Sequence, residues 1–491
     1  MTGVEWVLMA LLLLFGFFAA WNIGANDVAN AMGTSVGSGA LTLKRAVILA
    51  AIFEFFGAVL VGSNVSETVR KKMFDPEQLT EFYGDQAALV LSCGMIASLL
   101  AAGTWLMIAT YFHWPVSTTH SIVGAVVGFG CAALGFELIA WSKVGLITAG
   151  WVVSPLMSGA IAYVLFSFVL KTVFFKRNPV RAARRMAPFL VFSVLAVLIA
   201  VTGFKGLDPL WSRYGIDPFD PRIVGLTLLI AVVMGTCGML ISRHLLKSFD
   251  VDVTVDANPM LHADVARSLD KARMHLRRVE TSATGPLREK AEHLIDELEA
   301  LHSQAVERTR FGTDSPELQR VEQIFAILQI VTACFVAFAH GANDVANAVG
   351  PLAAGYQAIA SGEVAQKAGI PTWVLALGGI GIVIGLATWG WRVIQTVGKR
   401  ITELTPSRGF CAEFAAAFTI LLATVLPIGL PVSTTHTLVG AVLGVGFARG
   451  ISALNLRTMR SIIASWAITI PVGAGLSVIF YYILKLLFVP G

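Results

Sequence analysis

Charged residues are scarce in this chain. Asp, Glu, Lys and Arg together make up 14% of its 491 residues, whereas hydrophobic residues make up 56%. Because soluble globular domains carry about 25% charged residues, this composition excludes an ordinary soluble protein and indicates a membrane protein. Cysteine is also rare. The five cysteines lie in apolar segments at spacings that fit neither a zinc site nor a disulfide framework, so we expect them only to pack.

Long apolar runs occupy most of the chain. Many are about 20 residues long, which is enough to cross a hydrocarbon core roughly 30 Å thick. The first run, from Val4 past Trp21, lacks the basic start and the cleavage site of a signal peptide, so it is predicted to be a span. The predicted spans lie near residues 4–30, 45–62, 86–112, 114–136, 143–173, 187–203, 221–243, 323–348, 372–396, 411–428, 432–450 and 458–487.

Basic residues set the expected orientation. The segment 171–185 carries six basic residues and no acidic one, which assigns it to the cytoplasm. Both termini are then predicted to lie outside, in a multi-pass protein of the cell (inner or plasma) membrane. The net charge of +5 reflects cytoplasmic loops rather than a nucleic-acid partner.

The polar stretch 244–320 has a different pattern. Its segments 261–280 and 287–310 combine many charges with apolar residues at helical spacing, and the sequence TSATG separates them. This pattern predicts a helical hairpin in the cytoplasm. A solvated structural appendage is the simplest interpretation, and regulation or homodimerisation is the alternative.

Two motifs each occur twice. GANDVANA fills residues 24–31 and 341–348, and PVSTTH fills 115–120 and 431–436. The offsets, 341 minus 24 and 431 minus 115, are 317 and 316 residues, so a whole unit is duplicated. Seven predicted spans separate the starts of the two copies, and an odd number of crossings inverts one copy relative to the other.

We therefore predict an all-α integral membrane protein of about twelve spans, some broken or re-entrant, in two inverted-topology repeats around a midplane site. The predicted domains are a first transmembrane repeat (1–175), two connecting transmembrane helices (176–243), a cytoplasmic helical loop (244–320) and a second, inverted repeat (321–491).

The GANDVANA motifs carry polar groups at the predicted ends of apolar spans, where a charged carboxylate costs on the order of 2.5–3.5 kcal/mol. Gly24 and Gly341 allow close packing or a helix break. Helix capping or helix–helix hydrogen bonding would explain one copy, but two copies favour a site. A broken helix offers the oxygen ligands that suit a hard cation such as Na⁺. The candidate cation ligands are Asn26, Asp27, Asn343 and Asp344.

The PVSTTH motifs predict helix starts inside the membrane. Proline ends a preceding helix, and Ser and Thr cap a new one. A helix N-terminus at this depth is an anion site because its free N–H groups and its dipole both favour negative charge. His120 and His436, which end the motifs, are interpreted as structural, and a direct contact with the anion is the alternative. The candidate anion-binding residues of these motifs are Ser117, Thr118, Thr119, Ser433, Thr434 and Thr435.

Two further acids lie within apolar segments, Glu54 and Glu413. Neither side chain can face lipid at low cost. We expect a role on a cation or proton path, with a structural hydrogen bond as the alternative.

The paired motifs resemble the signature of the inorganic phosphate transporter family, the PiT type, over the whole membrane part of the chain. The resemblance implies a secondary active transporter that imports inorganic phosphate by cation symport, with no enzyme activity and no cofactor besides the coupling ion. It also implies that both motifs line the phosphate and cation sites and that Glu54 and Glu413 are needed for transport.

The resemblance leaves the substrate and the coupling ion open, since the family also contains proton-coupled carriers of metal phosphate and sulfate permeases. Asn-Asp in both copies favours Na⁺. His340, which stands where the first copy has Ile23, leaves room for a proton. Phosphate is favoured over sulfate because phosphate keeps an O–H that can donate to Asp27 or Asp344.

Two other classes of protein fit less well. An anion channel would also use hydroxyl groups and inverted repeats, but it has no need of buried acids. An intramembrane enzyme could use Ser117 and His120 as nucleophile and base, but no convincing third partner follows. We therefore expect a carrier in the lipid bilayer that binds inorganic phosphate and Na⁺.

Overall fold

A computed structural model describes residues 3–62, 76–201, 214–217, 219–249, 263–309, 316–364, 370–394, 404–425, 432–450 and 456–490, with Gly203 and Trp211. Throughout these ranges the protein is helical and contains no strand, in agreement with the predicted all-α class. The helices are α1 (Gly3–Gly37), α2 (Leu43–Val61), α3 (Pro76–Tyr83), α4 (Ala87–Tyr111), α5 (Thr118–Leu134), α6 (Trp141–Val169), α7 (Pro179–Val201), α8 (Pro221–Leu245), α9 (Ala263–Ser282), α10 (Pro286–Thr309), α11 (Pro316–Ser361), α12 (Thr372–Thr388), α13 (Pro406–Val425), α14 (Thr434–Arg449) and α15 (Leu456–Phe488).

Each of the twelve predicted spans overlaps a helix, but the helices differ in length. Seven helical segments in the described ranges are long and apolar enough to cross a membrane, judged by length and composition. The apolar helices α5 and α12 have 17 residues each, which is about 25 Å at 1.5 Å per residue and short of a ~30 Å core. The protein is membrane-embedded, and the count of twelve crossings stays a prediction.

The expectation that the GANDVANA motifs lie at the ends of spans is wrong. α1 continues to Gly37 and α11 continues to Ser361, so both motifs lie inside unbroken helices. The helix break considered for the motif glycines does not occur. A glycine inside a helix costs only about 1 kcal/mol, and close packing offsets that cost here.

The motif glycines allow two pairs of helices to touch backbone to backbone. A Cβ atom on Gly24 would overlap the carbonyl oxygen of Ile382 in α12, and one on Gly341 would overlap that of Glu54 in α2. Any side chain at either position would force the helices apart. Each motif helix is therefore held against the second helix of the other copy.

Other contacts of the two copies also occur in pairs. α5 packs on α15, and α14 packs on α6. Gly124 of α5 lies against Ile470, and Gly440 of α14 lies against Pro155. Each copy is thus completed by helices of the other.

α1 and α11 lie side by side and antiparallel. Near the start of α1, Leu12 packs against Gly355, close to the end of α11. Just beyond the end of α1, Ser38 Oγ lies 2.7 Å from Oε1 of Gln329, which is close to the start of α11. The two GANDVANA motifs therefore pass each other in opposite directions.

Two groups of helices lie outside the paired contacts. α7 and α8 pack on each other, and α7 also packs on α11. α9 and α10 form the predicted hairpin, with Gly285 (φ +66°) in the turn. Arg273 and Arg277 each lie 3.2 Å from Glu299 across the hairpin, and these exposed ion pairs contribute little stability.

Candidate functional site

The PVSTTH motifs open helices, as predicted. Ser117 is the N-cap of α5, and its hydroxyl accepts a hydrogen bond from His120 N at 3.3 Å. Ser433 caps α14 in the same way, at 3.2 Å from His436 N. The amide groups of the first two helical residues have no partner within a helix. Both helix starts are buried, so these amides offer donors to a ligand in the protein interior.

Asp27 lies in front of the α5 helix start. Its Oδ2 accepts from Thr118 Oγ1 at 2.7 Å, and its Oδ1 accepts from Asn30 Nδ2 at 3.1 Å. Thr435 Oγ1, at the other helix start, lies 3.3 Å from the same Oδ1. One carboxylate of the first copy thus contacts the helix starts of both copies.

Asp344 has the corresponding position in the second copy. Its Oδ2 accepts from Thr434 Oγ1 at 2.8 Å, and its Oδ1 accepts from Asn343 Nδ2 at 2.9 Å. Asp27 and Asp344 are both fully buried. The structure brings the two predicted aspartates together with threonines of both helix starts.

Two asparagines that the sequence analysis missed connect the copies. Asn30 Nδ2 donates to Thr435 Oγ1 at 2.8 Å. Asn347 Nδ2 lies 3.2 Å from Thr118 Oγ1 and 3.3 Å from Thr119 Oγ1. Both asparagines belong to the repeated octapeptide and stand three residues after its aspartate, on the same helix face. That spacing is the signal that could have identified them.

His340 lies among three carboxylates. Its Nε2 is 2.8 Å from Asp344 Oδ2 and 3.8 Å from Asp27 Oδ2, and its Nδ1 is 3.3 Å from Glu54 Oε1. His340 and Glu54 are fully buried. Within the described ranges, neither oxygen of the Glu54 carboxylate has a hydrogen-bond partner, so its 3.3 Å approach to His340 is its nearest contact with a group that can carry positive charge.

The charges around His340 do not balance. If all three acids are ionised, even a protonated imidazole leaves two negative charges uncompensated. Buried charges without partners are costly, so the arrangement favours a bound cation or a proton. Ligand atoms of Asp27, His340 and Asp344 all lie within 4.8 Å of one another and could hold a metal ion.

Asn26 lies beside this cluster but faces a different segment. Its Nδ2 donates to Thr110 Oγ1 at 3.0 Å and to Trp114 O at 3.1 Å, and its Oδ1 accepts from Val116 N at 3.2 Å. These bonds fix the connection between α4 and α5. Its assignment as a cation ligand stays a prediction, as do those of Asn343 and the other site residues.

Glu413 lies in a separate buried cluster. Its Oε1 accepts from Thr34 at 2.6 Å, from Ser35 at 2.7 Å and from Gln329 at 3.0 Å, and its Oε2 accepts from Thr332 at 2.6 Å. Thr34 stands seven residues beyond Asp27, or about 10 Å along the helix. Glu413 therefore bonds to α1 about two helical turns beyond Asp27, with partners that the sequence analysis did not identify.

His120 and His436 pack against tryptophans. The His120 ring centroid lies 3.7 Å from that of Trp151, and the His436 centroid lies 3.6 Å from that of Trp466. The two imidazoles are 4.3 Å apart, edge to face. These contacts agree with the structural interpretation of both histidines.

Comparison with known proteins gives one consistent result. The model of the phosphate transporter family matches residues 23–477. The chain is 42% identical to inorganic phosphate transporter 2-1, chloroplastic, of Arabidopsis thaliana, over 96% of this chain and 71% of that protein. It is similar to a solved structure described as the sodium-dependent phosphate transporter, with a TM-score of 0.74 and 33% identity over 98% of this chain and 99% of the other.

Proposed function

Because the chain belongs to the phosphate transporter family, a family of carriers and not of enzymes, we propose that it imports inorganic phosphate by Na⁺ symport. The site lies where Asp27 and Asp344 meet the starts of α5 and α14. One observation carries the proposal: each aspartate accepts a hydrogen bond from the first threonine of a buried helix start, at 2.7 and 2.8 Å. Helix starts attract an oxyanion, and carboxylates attract a cation.

Phosphate is the oxyanion that fits both features. The amides and hydroxyls of Thr118, Thr119, Thr434 and Thr435 supply donors for its unprotonated oxygens. The aspartates supply acceptors for the O–H that phosphate keeps at neutral pH, whereas sulfate has no such group and would be repelled. A tenfold excess of sulfate should therefore leave phosphate uptake nearly unchanged.

Co-transported Na⁺ supplies the positive charge that offsets the negative charge of phosphate. Moving one elementary charge against 100 mV costs about 2.3 kcal/mol, so an anion needs co-transported cations to enter a negative-inside cell. Asp27 and Asp344, with the amide oxygens of neighbouring asparagines, are the proposed ligands. Oxygen ligands of this kind suit a small, hard cation. Glu413 is proposed as a second Na⁺ site, because the four side chains that donate hydrogen bonds to it also have oxygen lone pairs that can coordinate Na⁺.

The antiparallel course of α1 and α11 supports inverted repeats and alternating access. Cysteines introduced at Gly84 and Gly491 should react with an impermeant thiol reagent from outside the cell, and one at Gly285 should not. Labelling of all three positions from one side would contradict the proposed inversion and the external termini.

Purified protein in liposomes provides the main test. Uptake of labelled phosphate should rise with an inward Na⁺ gradient and should collapse when choline replaces Na⁺ at constant pH. Accumulation against a phosphate gradient would separate a carrier from a channel.

Proton coupling is the second candidate, and His340 favours it because its imidazole contacts three carboxylates. If a pH gradient alone drives full uptake in sodium-free buffer, the coupling ion is a proton. Sodium symport would then be wrong, while phosphate transport would stand.

A further inference from the structure

A lateral crevice of about 670 Å³ lies between α2, α7, α8 and α11. It is separate from the phosphate site. Its walls include Phe53 from α2, Leu198 from α7, Ile230 from α8, and Cys334 and Phe338 from α11. α7 and α8 are the connecting helices that have no counterpart in the duplicated unit.

The described walls of the lateral crevice offer almost no polar group. Among the lining side chains that the structure describes, only Thr227, Cys334 and Trp211 carry a polar atom, and the indole N–H of Trp211 already donates to Gly203 O at 3.0 Å. Ordered water needs two to four polar partners, and apolar cavities stay dry. The chemistry of the walls therefore selects a hydrocarbon.

The mouth of the lateral crevice is continuous with the lipid-facing surface. Leu60 is 58% exposed, Leu226 is 51% exposed and Ile230 is 46% exposed, and all three line the crevice. α8 is one of the candidate spans, so its exposed apolar side chains face the bilayer. Lipid chains are the molecules that meet this mouth.

The lateral crevice opens toward the bilayer along α8, and a flexible alkyl chain from that bilayer can follow its apolar walls. We propose that the lateral crevice binds one acyl chain of a bilayer lipid.

A bound chain would support the contact that holds Glu54 near His340. Phe53 precedes Glu54, and Phe338 stands two residues before His340; both phenylalanines line the crevice, so it adjoins the helix segments that bring Glu54 to His340. Gly57 of α2 is pressed against the carbonyl of Phe338. Filling the space beside that contact keeps α2 against α11, because an unfilled gap loses packing contacts. The lipid site itself does not depend on the identity of the transported ion.

The test uses the full-length protein in liposomes that contain a phospholipid with a photoreactive diazirine on one acyl chain. After illumination, peptide mass spectrometry maps the adducts. Adducts should concentrate on crevice residues such as Leu198, Ile230 and Cys334, at several times the yield on outward-facing α8 residues.

Ile230→Trp and Leu198→Trp should each reduce crevice adducts at least fivefold by filling the space. Leu229→Trp is the matched control, because Leu229 is 60% exposed on the same helix and does not line the crevice; it should leave the adducts unchanged.

Two outcomes of the labelling experiment would overturn the proposal. One is equal labelling of the crevice and of the outer face of α8 in the wild-type protein. The other is cross-linking of Cys334 between two copies of the chain at high yield, which would assign the crevice to an interface. If a tryptophan variant elutes as aggregate, lipid co-purifying with the wild-type protein after extensive detergent washing gives an independent measurement. About one retained lipid per chain is expected, and none would contradict the site.

Discussion

The two copies of the duplicated unit share their motifs but differ around them. His340 of the second copy corresponds to Ile23 of the first, 317 residues earlier. Glu54, whose carbonyl lies against Gly341, corresponds to Ile382, whose carbonyl lies against Gly24. The His340–Glu54 ion pair thus has two isoleucines as its counterpart. The two copies share equivalent helix starts. They differ because ionisable residues, His340 and Glu54, stand at one of the two equivalent contacts and isoleucines stand at the other.

The surroundings of Glu413 show the same contrast. An offset of 316 residues places Ala97 at its counterpart position, and an offset of 317 places Leu12 where the second copy has Gln329. Leu12 packs against Gly355, and Leu352 packs against Gly16. One end of the antiparallel α1–α11 pair is therefore polar and hydrogen-bonded, and the other is filled by leucine.

The largest effect on transport is expected from changing the motif aspartate that both copies share. Asp27→Asn and Asp344→Asn should each reduce phosphate uptake by two orders of magnitude or more, because removing one partner of a buried charge pair costs about 2–5 kcal/mol. Labelled uptake in liposomes measures this. Thr148→Val, which removes an exposed hydroxyl bonded to Val144 O, is the control. Uptake near the wild-type rate in either aspartate variant would remove the central assignment.

The contact between His340 and Glu54, which has isoleucines at the equivalent positions of the other copy, should affect the stability of the protein as well as transport. His340→Ile gives the second copy the residue of the first and leaves Glu54 buried without its partner, which costs about 3–5 kcal/mol. The thermal unfolding temperature in detergent should fall by several degrees. The double variant His340→Ile with Glu54→Ile should recover most of that loss, while uptake stays low in both variants. A double variant that is less stable than either single variant would contradict the pairing.

The cluster around Glu413 should affect sodium dependence. Thr332→Val removes one of the four donors to the Glu413 carboxylate, and one such bond contributes about 1 kcal/mol. The Na⁺ concentration for half-maximal uptake should rise about fivefold with little change at saturating Na⁺. An unchanged sodium dependence, together with unchanged stability, would show that the cluster has no role in coupling.

The smallest effect is expected from the segment between the copies. Replacing residues 253–315 by a flexible linker should change uptake less than twofold, since neither motif lies there. Size-exclusion chromatography checks that the shortened protein is folded and reports its oligomeric state. A folded but inactive protein would assign the hairpin a role in transport.

The sequence predicted the elements of this fold better than their ends. Long apolar runs specified the helices, and proline with a capping serine specified the starts of α5 and α14, because both signals are local. The continuation of α1 beyond its motif to Gly37 was missed, since the residues from Gly33 to Gly37 are small and weakly apolar and give no local signal that the helix continues. The helix break was wrong because glycine permits a break and close packing equally well.

Site residues that belong to a repeated motif could be predicted from the sequence. Contacts between residues that are far apart in the sequence could not. Asp27, Thr118 and their counterparts recur at a fixed offset, so they could be identified without a structure. The partners of Glu413 come from α1 and α11, and no sequence spacing connects Thr34 with Thr332. The contact of His340 with three acids likewise depends on α2 meeting α11.

The glycine contacts between copies also set an order for biosynthesis. Gly24 is made early, but its partner Ile382 follows 358 residues later in the chain (382 minus 24). At roughly 5–20 residues per second, α1 waits on the order of tens of seconds in the membrane before its packing surface is covered. During that interval Asp27 has the donors of its own copy, Thr118 and Asn30, but not Thr435. A chain that stops before α12 therefore keeps the bonds to Asp27 within the first copy and lacks the bond that joins Asp27 to the second helix start.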